Sequence, residues 1–360
     1  MYKFTPKDYF LNVFEDKFID RIPTFVQGVR PEFIQKYEEN LFENYDGKLI
    51  YNPDFDAAIA LGFDAKFAHL PSATCEQIEV TLDSGKKVKI GMSGHIPHFG
   101  HSYYSGGAII NLEIHEKLFG KDCENIIFPK PQEYKIQADF YKKISDIIFP
   151  VPCFGGLFDV IWQSMGFNLF AKEFKRKSNF IKKVIKDRSF VLKVQMEKLV
   201  EATGSEIGIV CILDDIAFKG RLMIKPEEFY EYFGYEYEKI VKIAKDAGLH
   251  VILHSDGNVS DVIPYLKKIG FEGLQGWEGG ADPKYIAENY PDFIVIGFGD
   301  VSEILPFGSK EQIINHAKNL IDTFRETKHY IFGPSTVITG AIPYENIKIF
   351  IETAKLYGKY

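Results

Sequence analysis

VILHSDGNV, residues 251–259, runs an apolar stretch, Val251 to Leu253, directly into His254, Ser255, Asp256 and Gly257. Short apolar β-formers flanked by glycine fit an interior strand, so the polar groups that follow emerge at its carboxyl end. In parallel α/β folds that end is where ligands gather.

Comparable apolar runs recur at Pro23 to Val26, Ala65 to Ala68, Ile147 to Cys153, Ile207 to Leu213, Gly273 to Gly276, Phe293 to Gly297 and Tyr330 to Gly333. Between the later ones lie amphipathic patterns at Pro226 to Ala247, Val259 to Ile269, Pro283 to Glu288 and Lys310 to Thr327. Pro226 followed by two glutamates suits a helix start, and Gly248 and Gly270 suit helix ends. Eight strands alternating with helices predict an α/β fold, a (β/α)8 TIM barrel. With 360 residues, the chain exceeds the ~250 that such a barrel needs and leaves room for insertions; residues 1–360 are expected to form a single barrel domain. EVTLDSGKKVKIG, residues 79–91, alternates with period two about Asp83-Ser84-Gly85, which predicts an inserted β-hairpin. The Gly-, His- and Tyr-rich stretch from Gly94 to Gly107 is expected to loop over one mouth of the barrel.

The formal net charge of −7 argues against a phosphate-backbone binder, which needs a concentrated basic surface. The Lys-rich stretch Lys172 to Asp187 alternates with Phe and Ile at helical spacing and is expected to be a solvated helix face. Cys75, Cys123, Cys153 and Cys211 form no CxxC pair, which argues against a cysteine-rich zinc module and a disulfide framework. No apolar run approaches the ~18 residues that span a bilayer, so the expectation is a soluble cytoplasmic protein without nucleic-acid or membrane partners.

Each late strand finishes in polar residues: Asp214-Asp215, then His254-Ser255-Asp256, Glu278, Asp300, and finally Ser335-Thr336. In a barrel these ends converge on one pocket. The three histidines of HIPHFGH (His95, His98, His101) are a second, weaker cluster, and Phe99, Tyr103, Tyr104 and Trp277 are aromatics able to stack on a planar ring.

The ordered series PTFVQGVRPEF, VPCFGGLFDVIWQSMGF, ILDDIAFKGRLMIKPEEF, HSDGNVSDVIPYLKKIGFEGL, IGFGDVSEILPFGSKEQI and IPYENIKIFIETAKLYGKY resembles the uroporphyrinogen decarboxylase superfamily over almost the whole chain. Arg30 matches one of that family's first-strand arginines, whereas Gln27 stands where its decarboxylases carry a second arginine and Ser335 near where they carry a histidine. Those replacements weaken a porphyrinogen substrate, whose carboxylates demand cationic partners. In the family's zinc methyltransferases a His-x-Cys pair follows one strand, a Glu can follow the next and a second Cys follows the last; the resemblance thereby implies His254, Asp256 and Glu278 as metal ligands, a harder, more Lewis-acidic set than one with thiolates. Here His254 is kept, Asp256 takes the place of the first cysteine, and Ser335 or Thr336 stands near the second.

The resemblance therefore implies a corrinoid-dependent methyltransferase of the demethylating type. It would move a methyl group from a small methylated substrate, such as an aryl methyl ether, to a corrinoid supplied by a partner protein, assisted by zinc or another divalent metal. Asp214, Asp215, Arg30 and Asp300 are the candidate catalytic residues, and Gln27, Arg30, Trp277 and Ser335 the candidate substrate contacts. The rivals are a cofactor-independent decarboxylase acting through Arg30 and an aspartate, and a non-catalytic corrinoid-binding accessory protein.

Overall fold

Eight short apolar segments pair in parallel, in chain order, to build the sheet of the computed structural model, which describes residues 4–43, 45–82, 84–96 and 106–360. The strands are β1 (Phe25–Val26), β2 (Ala65–His69), β3 (Phe149–Gly155), β4 (Ile209–Leu213), β5 (His250–Ser255), β6 (Gly273–Gly276), β7 (Ile294–Gly299) and β8 (Tyr330–Pro334). A parallel bridge between Thr24 and Phe332, with the Phe332 amide donating to the Pro23 carbonyl at 2.9 Å, joins the last strand to the first and closes the barrel.

Local chemistry trims the expected strands. Gly208 adopts φ 74°, so β4 starts at Ile209 rather than Ile207. The amides of Ile147 and Ile148 bond back to the Ile144 carbonyl and finish the preceding helix, so β3 starts at Phe149. The helix begun at Pro226 contains a π-turn at Tyr230–Gly234 before resuming at Tyr235–Asp246, an irregularity that apolar spacing does not encode.

Inward-facing Phe25, Phe67, Val151, Cys211, Ile252, Ile296 and Ile331 fill the barrel. The helix Pro6–Phe14 caps its amino-terminal mouth, with Phe10 packed on Phe25 and Phe149 at ring separations of 6.1 and 5.4 Å. Outward-facing residues of the same strands form a second apolar layer beneath the surrounding helices. A fully buried Ile or Phe in either layer stabilises the fold by ~1.5–3 kcal/mol. With the amino-terminal mouth capped, strand-end polar groups meet at the carboxyl-terminal one.

Two excursions leave the barrel. Ile78–Thr81 and Lys87–Ile90 pair antiparallel, and their Val80, Val88 and Ile90 pack with Phe119 and with Val191 of the long helix Asn179–Thr203. A smaller antiparallel pair, Ala217–Phe218 with Arg221–Leu222, follows β4. The Lys-rich stretch falls on two helices, Phe167–Lys175 and Asn179–Thr203, whose apolar residues Phe170, Phe174, Ile181 and Val184 are buried. Among the described residues, no helix is long and apolar enough to cross a membrane.

Candidate functional site

Parallel register places Leu213 of β4 beside His254 of β5, and His254 beside Gln275 of β6. Three side chains from adjacent strands thus lie in one row at the barrel's carboxyl end. Gln275, fully buried, donates from Nε2 to the Ser335 carbonyl at 2.9 Å, which turns its Oε1 toward His254 Nδ1 at 2.6 Å. The imidazole therefore donates from Nδ1 and presents Nε2 to the opposite side.

There Nε2 faces Asp215 Oδ1 at 3.6 Å, and Asp215 Oδ1 accepts the Asp256 amide at 2.9 Å. Donor atoms of Asp215, His254 and Asp256 all lie within 4.8 Å of one another. Asp256 Oδ1 is buried without a hydrogen-bond partner. Burial pushes the Asp256 carboxyl up to about 7, with Asp215 and Glu278 adding to the rise and His254 and Thr336 opposing it. Two carboxylates and an imidazole lone pair crowded together require a cation or a shared proton, and this nitrogen-and-oxygen donor set fits a divalent cation.

The second carboxylate of this group is that of Asp215, and the expected Glu278 lies outside it. Glu278 accepts the Ser302 hydroxyl at 2.6 Å and lines a separate cavity of about 200 Å³ with Trp277, Asp300 and Ser335. Gly276 at φ 132° and Trp277 at φ 75° turn the chain sharply between β6 and Glu278, so strand spacing alone does not predict where that carboxylate goes.

A cavity of about 880 Å³ has none of the three donor residues in its wall but includes two neighbours of His254. Its wall includes Leu213, the ladder neighbour of His254, and Phe67, whose ring meets the imidazole edge-on at 5.9 Å. Gln27 and Arg30 line the same cavity, as do Asp54 and His69. The Thr336 hydroxyl donates to Gln27 Oε1 at 2.8 Å. Asp54 accepts the Val29 amide and the Lys66 ammonium, each at 2.7 Å, fixing the loop after β1. Burial and the Lys66 charge lower the pKa of His69, keeping it neutral near pH 7.

Several expected residues have structural employment. Asp214 is fully buried and accepts from the Tyr237 hydroxyl at 2.5 Å and the Asp159 and Phe158 amides at 2.6 and 3.2 Å. It is a positioning residue that ties the turn after β3 to the turn after β4. Asp300 Oδ1 accepts the Ser302 and Glu303 amides, each at 2.8 Å, which organises the turn after β7. Trp277 stacks on Phe298 at 5.1 Å and donates to the Leu274 carbonyl at 3.0 Å, so its ring belongs to the core and lies outside the large cavity. Ser335 is buried, lines the smaller cavity, and holds Gln275 through its carbonyl.

Gln275, Phe67 and Tyr237 were not among the expected site residues; a polar Gln inside GLQG was the available signal for the first. Asp159 joins them, its carboxyl pushed up to about 8 by burial and by Asp215 and Asp214. No cysteine enters the donor group, and Cys153 and Cys211 are buried within the barrel. His98, His101, Phe99, Tyr103 and Tyr104 lie outside the described residues, while His95 is half-buried.

The uroporphyrinogen decarboxylase (URO-D) family profile matches residues 154–357, more than half of the chain. The chain belongs to this family. A 131-residue stretch is 28% identical to the methylcobamide:CoM methyltransferase MtbA of Methanosarcina acetivorans, covering 36% of this chain and 37% of that relative. The matched stretch is thus little more than a third of either protein. A methyltransferase from Methanosarcina mazei superposes over 99% of both chains with a TM-score of 0.64 at 18% identity, which shows that this URO-D family member shares its fold.

Proposed function

We propose that this URO-D family member is a methyltransferase that passes a methyl group from an aryl methyl ether to the cobalt of a corrinoid carried by a partner protein. The carrying observation is the thiolate-free donor group of Asp215, His254 and Asp256, whose His254 neighbours Phe67 and Leu213 of the large cavity's wall. The partial likeness to a methylcobamide-dependent methyltransferase supports the corrinoid partner. Four free cysteines support a reducing, cytoplasmic setting.

Removing a methyl group from an ether breaks the methyl carbon–oxygen bond, with its electron pair going to oxygen. The reduced corrinoid carried by the partner would supply the electron pair for the new bond to carbon. The departing phenoxide has a conjugate-acid pKa of ~10, so it leaves more readily when its charge is met. Asp215, His254 and Asp256 would hold a divalent cation, which when bound would supply Lewis-acid polarisation of that oxygen, and their hard oxygen and nitrogen donors suit an oxygen-bearing substrate better than a thiol. Phe67 and Leu213 present apolar surface to the aromatic ring, and Arg30 and Gln27 offer hydrogen bonds to its polar substituents.

The test measures bound metal by elemental analysis and methyl transfer from a panel of methoxyphenols and methoxybenzoates to cob(I)alamin. The expected result is one divalent cation per chain and methylcobalamin formation from at least one donor, both lost in His254→Ala. Methyl transfer that survives complete metal removal would overturn the role of the donor group. Corrinoid-independent release of carbon dioxide from a carboxylated aromatic, with no methyl transfer, would establish the decarboxylase reading instead.

A further inference from the structure

A second cavity, of about 420 Å³, lies between the excursion after β2 and the long helix Asn179–Thr203. Arg188, 5% exposed, is the charged residue in its wall; Val160, Val191, Leu192 and Met92 supply apolar surface.

The guanidinium is held in place but not neutralised. Nη2 donates to the Met92 carbonyl at 2.5 Å, and the group lies over the Phe119 ring at 4.7 Å. Nε is buried with no hydrogen-bond partner among the described residues. The adjacent Asp187 is occupied by His115 at 2.8 Å and Lys183 at 2.6 Å. Among the described residues no carboxylate forms an ion pair with Arg188. Burial accordingly pushes the guanidinium down to about 10, against weaker opposing effects of Cys75, Cys123 and Asp187. A buried cation without a counter-ion is costly unless a ligand completes it.

We infer that this cavity is a binding site for a small monocarboxylic acid with an apolar tail, its carboxylate meeting Arg188. A single guanidinium among the lining residues favours a single negative charge over a phosphate dianion, and its planar fork suits a carboxylate. The apolar walls favour a hydrocarbon body, and the volume falls within the usual range for small-molecule sites. This site is separate from the large cavity with Arg30, so it stands or falls independently of the proposed methyl transfer.

Hexanoate is the probe and hexanamide its uncharged counterpart, with binding followed by calorimetry and by thermal unfolding of the intact protein. Hexanoate should bind saturably and raise the unfolding temperature while hexanamide does neither. Arg188→Gln should weaken hexanoate binding by at least about tenfold, the scale of a lost charge-assisted hydrogen bond, and Arg30→Gln should leave it unchanged. Should Arg188→Gln fail to fold, a crystal of the wild-type protein with 6-bromohexanoate decides the matter through the bromine anomalous signal. A carboxylate beside Arg188 supports the site. Absence of saturable binding, full retention in Arg188→Gln, loss in Arg30→Gln instead, or bromine only in the large cavity would each overturn it.

Discussion

Gln275 Oε1 stands 2.6 Å from Nδ1 of His254, while its amide nitrogen is tied to the Ser335 carbonyl at 2.9 Å. One residue of β6 thereby fixes the tautomer of a β5 histidine, using the end of β8 as its anchor. Nε2, the atom that faces Asp215, is thus set by a residue on a different strand.

Gln275→Leu should therefore weaken divalent-cation binding by ~10–100-fold, the usual cost of losing a ligand's orienting partner. Gln275→Glu keeps an acceptor opposite Nδ1 and should retain most of the affinity. Competition against a chromophoric chelator measures both variants. Equal affinity in wild type and Gln275→Leu would show that the imidazole is oriented by other contacts.

Asp215 and Glu278 offer a sharper discrimination. Asp215 lies within the group whose donor atoms are mutually within 4.8 Å, whereas Glu278 is engaged by Ser302. Elemental analysis should find Asp215→Ala depleted of metal and Glu278→Gln still loaded. The reverse pattern would restore the ligand set that strand-end spacing favours.

That contrast marks how far the sequence carries. The strands were legible because each is a short apolar run ended by polar residues, and strand order follows from alternation with helices. Convergence of His254 with Asp256 was legible too, since both end the same strand. The choice between Asp215 and Glu278 was not, because it depends on the left-handed backbone at Gly276 and Trp277 that redirects the chain after β6. Gln275 escaped for a related reason: its importance comes from register with His254, and register across a parallel pair separated by a helix leaves no local trace. Asp214 shows another limit, an acid at a strand end whose three hydrogen-bond partners come from other elements and leave no mark in its own segment.

At the opposite end of the barrel, Arg21 grips Asp64 through two hydrogen bonds of 2.7 Å, and the Thr24 amide and hydroxyl each add one at 2.8 Å. Burial would raise the Asp64 carboxyl, but Arg21 and Thr24 outweigh it and hold the group below the usual carboxylate range. A carboxyl depressed in the folded state stabilises fully above its unfolded pKa of ~3.9 and loses that contribution as pH falls through its lower folded value. Urea unfolding of the wild type should thus weaken with acidification below pH ~4, and Asp64→Asn should show a shallower decline over the same interval. Arg21→Met, which strands a buried carboxylate, should cost ~3–5 kcal/mol at pH 7. Parallel acid profiles for wild type and Asp64→Asn would contradict this assignment.

Arg30 separates two kinds of methyl donor. It lines the large cavity with Gln27, within the same wall that reaches Leu213 and Phe67 beside His254. If the ether's ring carries a carboxylate, the guanidinium meets a charge that a methoxyphenol lacks, and the interaction is made equally in ground and transition states. Uniform binding of that kind appears in KM and leaves kcat alone. Arg30→Gln should then raise KM for a methoxybenzoate about tenfold or more, in line with losing a charge-assisted hydrogen bond, while the neutral methoxyphenol keeps its KM. Steady-state methyl transfer to cob(I)alamin with the two donors gives the comparison. A matched loss for both would place Arg30 in the scaffold of the β1 loop, and a fall in kcat with unchanged KM would move it to the reacting atoms.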